Sequence, residues 1–422
     1  MVCIMTHCVI VSNMIYFAAM KAHKMNILKK IWCRVFQGAF RLALPILPYR
    51  DPKILKSINE IPKLLKDKKK TSILIVTDSG VIKCGLIEPI LDVLNKVAIK
   101  YTVYSDVQPN PTVDNVESAR LVYINEKANA IIAIGGGSSM DTAKALGARI
   151  AHPRKSLKQM GGILRVYKSL PTFIAIPTTA GTGSETTLAA IITEPKTHHK
   201  YALMSFPLIP HYAVLDPRMT VTLPAHLTAT TGLDALTHAI EAFIGRSTTR
   251  ETRQLAIDAV KLIFANIENA YKNGSDLMAR ENMLIASFKA GLAFSKSYVG
   301  YVHAVAHSLG GKYNTPHGLA NAVLLTHVLE EYGEIVYTKL ATLAKAANIS
   351  SEDDTPEFAA DKFIKAIKAL NKKLGIPERI EAIIPDDIPE LARHAEKEAN
   401  PLYPVPKLMT AKELEKIYHL VK

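Results

Sequence analysis

Strand signals in this 422-residue chain stop near Pro224, and that break limits the possible folds more than any other feature. Before it, short β-branched or aromatic runs recur at residues 72–77 (SILIVT), 101–104 (YTVY), 130–134 (AIIAI), 173–176 (FIAI) and 212–215 (YAVL), with helical stretches such as 86–96, 113–125 and 139–150 between them. Such alternation predicts a parallel sheet, because each crossover helix covers one face of it. Residues 188–192 and 199–203, joined by TEPKTH, read as a hairpin attached to that sheet. After the break, helical spacing fills 226–244, 250–271, 277–294, 299–312, 318–331, 334–347, 356–373, 387–398 and 411–421. The expectation is an α/β domain over residues 50–224 followed by an all-α domain over 225–422.

At 48% hydrophobic and 21% charged, the chain is long enough for two cores and has a globular composition. Its net charge of +14 is not spread over the domains. Residues 1–70 carry fourteen Lys and Arg against three Asp and Glu, a local net of +11, which leaves +3 for the other 352 residues. With no nucleic-acid-binding signature, no nucleic-acid partner is expected. The excess marks an N-terminal extension, residues 1–49, in which 1–24 read as an artefact of the chosen start, since Met25 opens a more ordinary beginning. Residues 1–20 lack the basic start of a secretory signal and are too interrupted for a stable membrane span. Residues 25–47 form an amphipathic basic helix, read as packed on the body or a partner subunit in preference to a membrane surface. Cys3, Cys8, Cys33 and Cys84 form no metal or disulfide framework, which fits the cytoplasm.

The segment 303–317, HAVAHSLGGKYNTPH, places three imidazoles in fifteen residues. His303 and His307 share a helix face, and the Gly/Asn/Pro-rich loop after them can return His317 to the same point. Asp234 and His238 in DALTH add a carboxylate and another imidazole at the same spacing. A lone histidine is usually a core residue, but so much polar nitrogen is costly to bury without a shared cation. Ala304 stands where a zinc protease needs its glutamate, so that chemistry is disfavoured.

GGGSSMD (135–141) directly follows the run at 130–134 and opens a helix, an order that suits an anion at the helix N-terminus. PTTAGTGSE (177–185) repeats the arrangement with hydroxyls. Two such loops at the carboxyl ends of strands suit a dinucleotide. Asp78, at the end of the first strong strand, is either a turn residue or a carboxylate for an adenosine ribose, where it would favour NAD over NADP.

Taken together, TD (77–78), PNPT (109–112), GGGSSMDTAKA (135–145), IPTTAGTGSETT (176–187), DALTHAIEAF (234–243) and HAVAHSLGGKYNTPHGLANA (303–322) closely resemble the iron-containing, group III alcohol dehydrogenases, which share a fold with dehydroquinate synthase. The similarity runs from about residue 50 to the C-terminus. It implies an α/β N-terminal dinucleotide-binding domain and an all-α C-terminal metal-binding domain. It further implies that Asp234, His238, His303 and His317 hold a catalytic divalent metal, Fe(II) with Zn(II) as the alternative, and that His307 is a proton-relay group beside the substrate. Asp78, Gly135, Gly136, Gly137, Ser138, Asp141, Thr178, Thr179, Thr182, Ser184, Thr187 and Lys200 would surround NAD, with NADP as the second choice. Ala189 stands where some members carry Asn, which leaves the substrate open.

The expected reaction is hydride transfer between a small primary alcohol and NAD(P), run as alcohol oxidation or aldehyde reduction, in a homodimer or larger homo-oligomer. Phe294, Tyr298 and Tyr301 are candidates for pocket walls or for core. Alternatives on the same fold are a glycerol or diol dehydrogenase and a sugar-phosphate cyclase-type lyase, whose usual metal set of Glu with two His differs from this one. A metal-dependent hydrolase and a scaffold role for the basic extension are the remaining readings.

Overall fold

The computed structural model describes residues 25–195 and 199–422. The start-site reading of residues 1–24 and the tip of the expected hairpin lie outside the described residues. The strands are β1 (Lys53–Leu55), β2 (Ser72–Val76), β3 (Lys100–Tyr104), β4 (Ala130–Gly135), β5 (Gly162–Ile163), β6 (Thr172–Pro177), β7 (Ala189–Glu194), β8 (His199–Met204) and β9 (Tyr212–Val214). Six of them form one sheet in the order β1-β9-β6-β4-β2-β3. Every pairing in it is parallel, with Ile75 opposite Val103 and Ile132 opposite Ile75 and Ile174. The three middle strands are buried on both faces, as their unbroken apolar runs require. Leu74, Val76, Ile131, Ala133 and Phe173 join one core, and Ile73, Ile75, Ile132, Ile134 and Ile176 join the other.

The helices of this half are α1 (Ile27–Ala43), α2 (Ile61–Asp67), α3 (Ser79–Lys83), α4 (Glu88–Asn95), α5 (Val113–Asn125), α6 (Gly137–Ala151) and α7 (Leu157–Met160). β3 lies on one side of β2, whereas β4, β6 and β9 lie on the other. The chain thus reverses its direction of winding between β2 and β4, which opens a crevice at their carboxyl ends. Antiparallel β7 and β8 form the expected hairpin, but it is not attached to the main sheet: with the two-residue β5 paired in parallel to β8 it makes a separate three-stranded sheet.

The second half consists of α8 (Ala225–Ile244), α9 (Arg250–Lys272), α10 (Leu277–Ser297), α11 (Tyr301–Tyr313), α12 (His317–Tyr332), α13 (Glu334–Ala346), α14 (Pro356–Lys373), α15 (Ile388–Ala399) and α16 (Ala411–Val421). These helices share a single large core that includes Leu233, Leu236, Val305, Leu325 and Phe363. Tyr301 belongs to this core and not to a pocket wall, because it is fully buried and its hydroxyl engages Asn400 and the Met409 carbonyl at 3.0 and 3.1 Å.

The N-terminal helix α1 docks on the C-terminal half. Arg34 Nη1 and Nη2 donate to the carbonyls of Val405 and Pro406, buried Gln37 donates to the carbonyl of Tyr403 at 2.8 Å, and Lys29 pairs with Glu396 at 2.6 Å. Phe40 meets Tyr298 edge-on. Ile27, Leu28, Ile31, Val35 and Leu42 occupy the exposed side of the helix. Among the described residues, no helix is long and apolar enough to cross a membrane.

Candidate metal and nucleotide site

Asp234 and His238 sit one turn apart on α8, and His303 faces them from α11. Asn314 closes α11 in the left-handed conformation (φ 54°), and Pro316 precedes α12, so that His317, the first residue of α12, returns to the same point. One donor atom from each of Asp234, His238, His303 and His317 lies within 4.8 Å of the others. Nε2 of His317 and of His303 stand 3.4 and 3.8 Å from Asp234 Oδ1. Rings line the cluster as well, with His238 stacked between Phe294 and His303 at centroid distances of 4.0 and 4.5 Å.

Burial keeps these imidazoles neutral, since a charged ring would lose its hydration. It holds His303 well below the usual histidine range, with the neighbouring His238, His317 and His307 adding to the effect. It lowers His238 and pushes His317 down to about 4, in both cases against the pull of Asp234. Neutral nitrogens beside one carboxylate are the donor set a divalent cation requires.

A second layer orients the first. Nδ1 of His303 lies 2.6 Å from Glu241 Oε2, and the two Glu241 oxygens accept from the backbone N–H groups of Gly300 and Val302 at 2.9 and 2.8 Å. If the ring donates from Nδ1 to the carboxylate, its Nε2 lone pair faces the cluster, the arrangement expected behind a metal-binding histidine. Burial pushes Glu241 up to about 7, opposed by those N–H groups. Asn321, one turn after His317, places its Nδ2 at 2.7 Å from Asp234 Oδ1, 3.2 Å from His303 Nε2 and 3.1 Å from His317 Nε2. An amide has two protons for these three acceptors, and Asn321 Oδ1 is buried without a partner. The amide therefore satisfies these acceptors only in part, and the residues fit a cation among them.

His307 stands apart chemically. Its ring stacks on His317 at 5.2 Å and its Nδ1 lies 2.6 Å from Glu398 Oε1. Partial desolvation acts to lower it, but the combined pull of Glu398, Asp234 and Glu241 raises its pKa above the usual histidine value.

The nucleotide candidates gather at the crevice between β2 and β4. Asp78 follows β2, where Oδ1 accepts from Gly80 and Val81 N–H at 2.9 and 3.1 Å and Oδ2 accepts from Ser139 at 3.1 Å. Gly135 ends β4 at φ +146°, where a Cβ would sit 2.5 Å from Ser139 Oγ. Gly136 and Gly137 face Thr179 and Thr182 across the gap, and Thr178 N–H bonds the Gly135 carbonyl at 3.1 Å. Helix α6 starts there with no side chain capping it, which leaves its first-turn N–H groups directed outward beside Ser138. A backbone cradle of this kind fits a pyrophosphate.

Asp141, Ser184 and Thr187 lie deeper, around a residue that sequence reasoning overlooked. Lys144 is fully buried, and its Nζ donates to Ser184 Oγ, Thr187 Oγ1 and the Ala189 carbonyl at 2.9, 2.7 and 2.8 Å. Ser184 donates in turn to Asp141, which also accepts from Ile191 N–H. Burial lowers Lys144 to about 8 against the attraction of Asp141 and Glu185. Lys200 is turned to Asn110 at 2.8 Å. The 177–187 loop also reaches the metal-site helix, since a Cβ on Gly181 would lie 2.5 Å from the Thr231 Cβ, one turn before Asp234.

The family described as Iron-containing alcohol dehydrogenase matches residues 55–217, and Fe-containing alcohol dehydrogenase family, C-terminal, matches 228–421. The 1,3-propanediol dehydrogenase of Klebsiella pneumoniae is 38% identical over 366 residues, which is 86% of this chain and 93% of that protein. The lactaldehyde reductase of Escherichia coli (strain K12) is 36% identical over 76% of this chain and 85% of its own length. The crystal structure of a 1,3-propanediol oxidoreductase superposes with a TM-score of 0.85 at 35% identity, covering 89% of this chain and 99% of that one.

Proposed function

The chain belongs to the iron-containing alcohol dehydrogenase family, oxidoreductases that act on CH–OH groups, and from that premise we propose which of its residues carry the reaction. The observation that carries the reading is the convergence of Asp234, His238, His303 and His317 on one point, with the helix of the first two touched at Thr231 by the 177–187 loop, whose Thr182 faces the glycine cradle. These four residues hold the divalent ion, Fe(II) by family and Zn(II) by donor type as the alternative. When bound, the ion supplies Lewis acidity to the alcohol or carbonyl oxygen and NAD(P) supplies the hydride acceptor or donor.

The chain's own residues do the rest. Glu241 orients His303, and Phe294 walls the cluster against water. His307 receives the proton released when the alcohol is oxidised and returns one when the aldehyde is reduced. The backbone of Gly135, Gly136, Gly137 and Ser138 cradles the pyrophosphate, with Thr178, Thr179 and Thr182 opposite. Asp78 accepts from the adenosine ribose and disfavours a 2′-phosphate, so NAD is the preferred cofactor. Asp141, Ser184, Thr187 and Lys200 support the nicotinamide side. Relatives named for 1,3-propanediol and lactaldehyde point to a small alcohol, diol or hydroxyaldehyde as substrate. A cytoplasmic homodimer or larger homo-oligomer completes the reading.

The test is anaerobic turnover of an aldehyde panel with NADH on metal-stripped protein resupplied with Fe(II) or Zn(II), alongside His303→Ala and His317→Ala. We expect restored turnover in the parent, and loss of both bound metal and turnover in the variants. Variants that keep both would sink the proposal.

A further inference from the structure

Glu398, near the end of α15, belongs to neither the metal cluster nor the nucleotide cradle. Its Oε1 lies 2.6 Å from His307 Nδ1 and accepts from the Tyr403 hydroxyl at 2.7 Å. Tyr403 is buried, whereas the side chains of His307 and Glu398 are 39% and 35% exposed and thus meet solvent. The pair is mounted on a rigid base. Tyr301, at the start of the His307 helix, bonds Asn400, two residues beyond Glu398, and both reach the Met409 carbonyl. The Tyr403 carbonyl is held from the far side by Gln37 of α1. A surface ion pair between free side chains contributes little, but here one partner of the carboxylate is the buried Tyr403 and the other, His307, stacks on His317 of the metal cluster from a helix whose start Tyr301 anchors.

Resting on the reading of His307 as the proton relay, we propose that Glu398 is its positioning residue. It holds the ring with the proton on Nδ1, leaves Nε2 as the nitrogen that exchanges protons with the reacting oxygen, and stabilises the imidazolium that forms. Tyr403 holds the carboxylate in the one rotamer that does this. In oxidation the hydroxyl proton passes to Nε2, the Nδ1 proton stays on the ring shared with Glu398, and the imidazolium then releases a proton to solvent water. A carboxylate behind an imidazole acts in this way elsewhere by fixing the tautomer and orientation without taking the proton.

The test is a double-mutant cycle on the metal-loaded full chain with His307→Ala, Glu398→Ala and the pair combined, plus Glu398→Asp and Tyr403→Phe. The readouts are kcat, KM for NADH and aldehyde, the solvent deuterium isotope effect on kcat, and metal content. We expect Glu398→Ala to lower kcat by a part of the roughly hundredfold to ten-thousandfold that a positioned acid–base group contributes, with a larger solvent isotope effect and unchanged metal content and NADH KM. The double variant should fall no further than His307→Ala alone, and Glu398→Asp should recover part of the loss. If His307→Ala lowers kcat while Glu398→Ala leaves it intact, or the two losses multiply, the positioning role is overturned and the relay stands. If His307→Ala itself leaves kcat unchanged, the relay reading fails and the positioning role falls with it.

Discussion

At Asp78 a single carboxylate caps helix α3 through Gly80 and Val81 while its other oxygen ties down Ser139 at the start of α6. Asp78→Gly should therefore raise the NADP-to-NAD ratio of kcat/KM and cost only about a few tenths of a kcal/mol of stability, since glycine is itself tolerated as a helix cap, read by parallel cofactor kinetics and urea unfolding. Unchanged selectivity would leave the residue as a cap alone. Glu241→Gln should weaken metal binding by roughly tenfold to hundredfold, measured by competition with a chelator, although Glu241 never reaches the ion's donor set. The pairing of Asp234 with His238 is legible in the sequence because a four-residue spacing on a helix is a statement about direction, whereas His303 and His317 lie on two helices and are joined by the turn through Asn314 and Pro316. Glu241, seven residues after Asp234 in an otherwise apolar stretch, carried a readable signal of the same kind, as did Asn321 one turn after His317. Glu398 carried none, since only the packing of α15 on α11 brings it to His307.

At the level of elements, the long apolar strands are legible because burial on both faces leaves no room for polar residues. β1 and β5, three and two residues long, are not, since each exists by pairing with β9 or β8. Lys144 shows what pattern reading passes over, a lysine inside an amphipathic helix that proves to be the tie between α6, the 177–187 loop and β7. Lys144→Met should cost about 3 kcal/mol by stranding Asp141 and Glu185 and should raise the KM for NAD, as urea unfolding and initial rates will show. His211 joins β6 to β9, accepting from Phe173 N–H at 3.2 Å. Burial, followed by Arg50, Lys68 and Lys70, depresses it to about 4. A folded value below that of the unfolded chain means the contribution is present above about pH 6.5 and is lost as the pH falls toward 4. His211→Asn should flatten the stability profile in that window, measured by denaturation across a pH series.

For the whole molecule, the succession of an α/β half and a helical half is legible from where strand signals cease, and the place of the cleft follows from loops at strand ends. The seat of α1 is not legible, because Arg34 and Gln37 meet carbonyls more than 360 positions away. The family matches begin at residue 55, after this helix. Removing residues 1–24 should leave turnover and melting temperature unchanged. Removing residues 1–46 should lower both, because the segment that carries Tyr403 loses its clamp, and calorimetry with steady-state rates will distinguish the two truncations. The two halves are also keyed together at a point where neither has a side chain. Gly183, at φ +59°, lies so close to Gly291 of α10 that a Cβ on it would stand 2.8 Å from the Gly291 Cα. A chimera that grafts the nucleotide half of one relative onto the helical half of another will seat properly only when both donors bring glycine to that junction, so recombination between relatives has to treat the two positions as a single inherited unit.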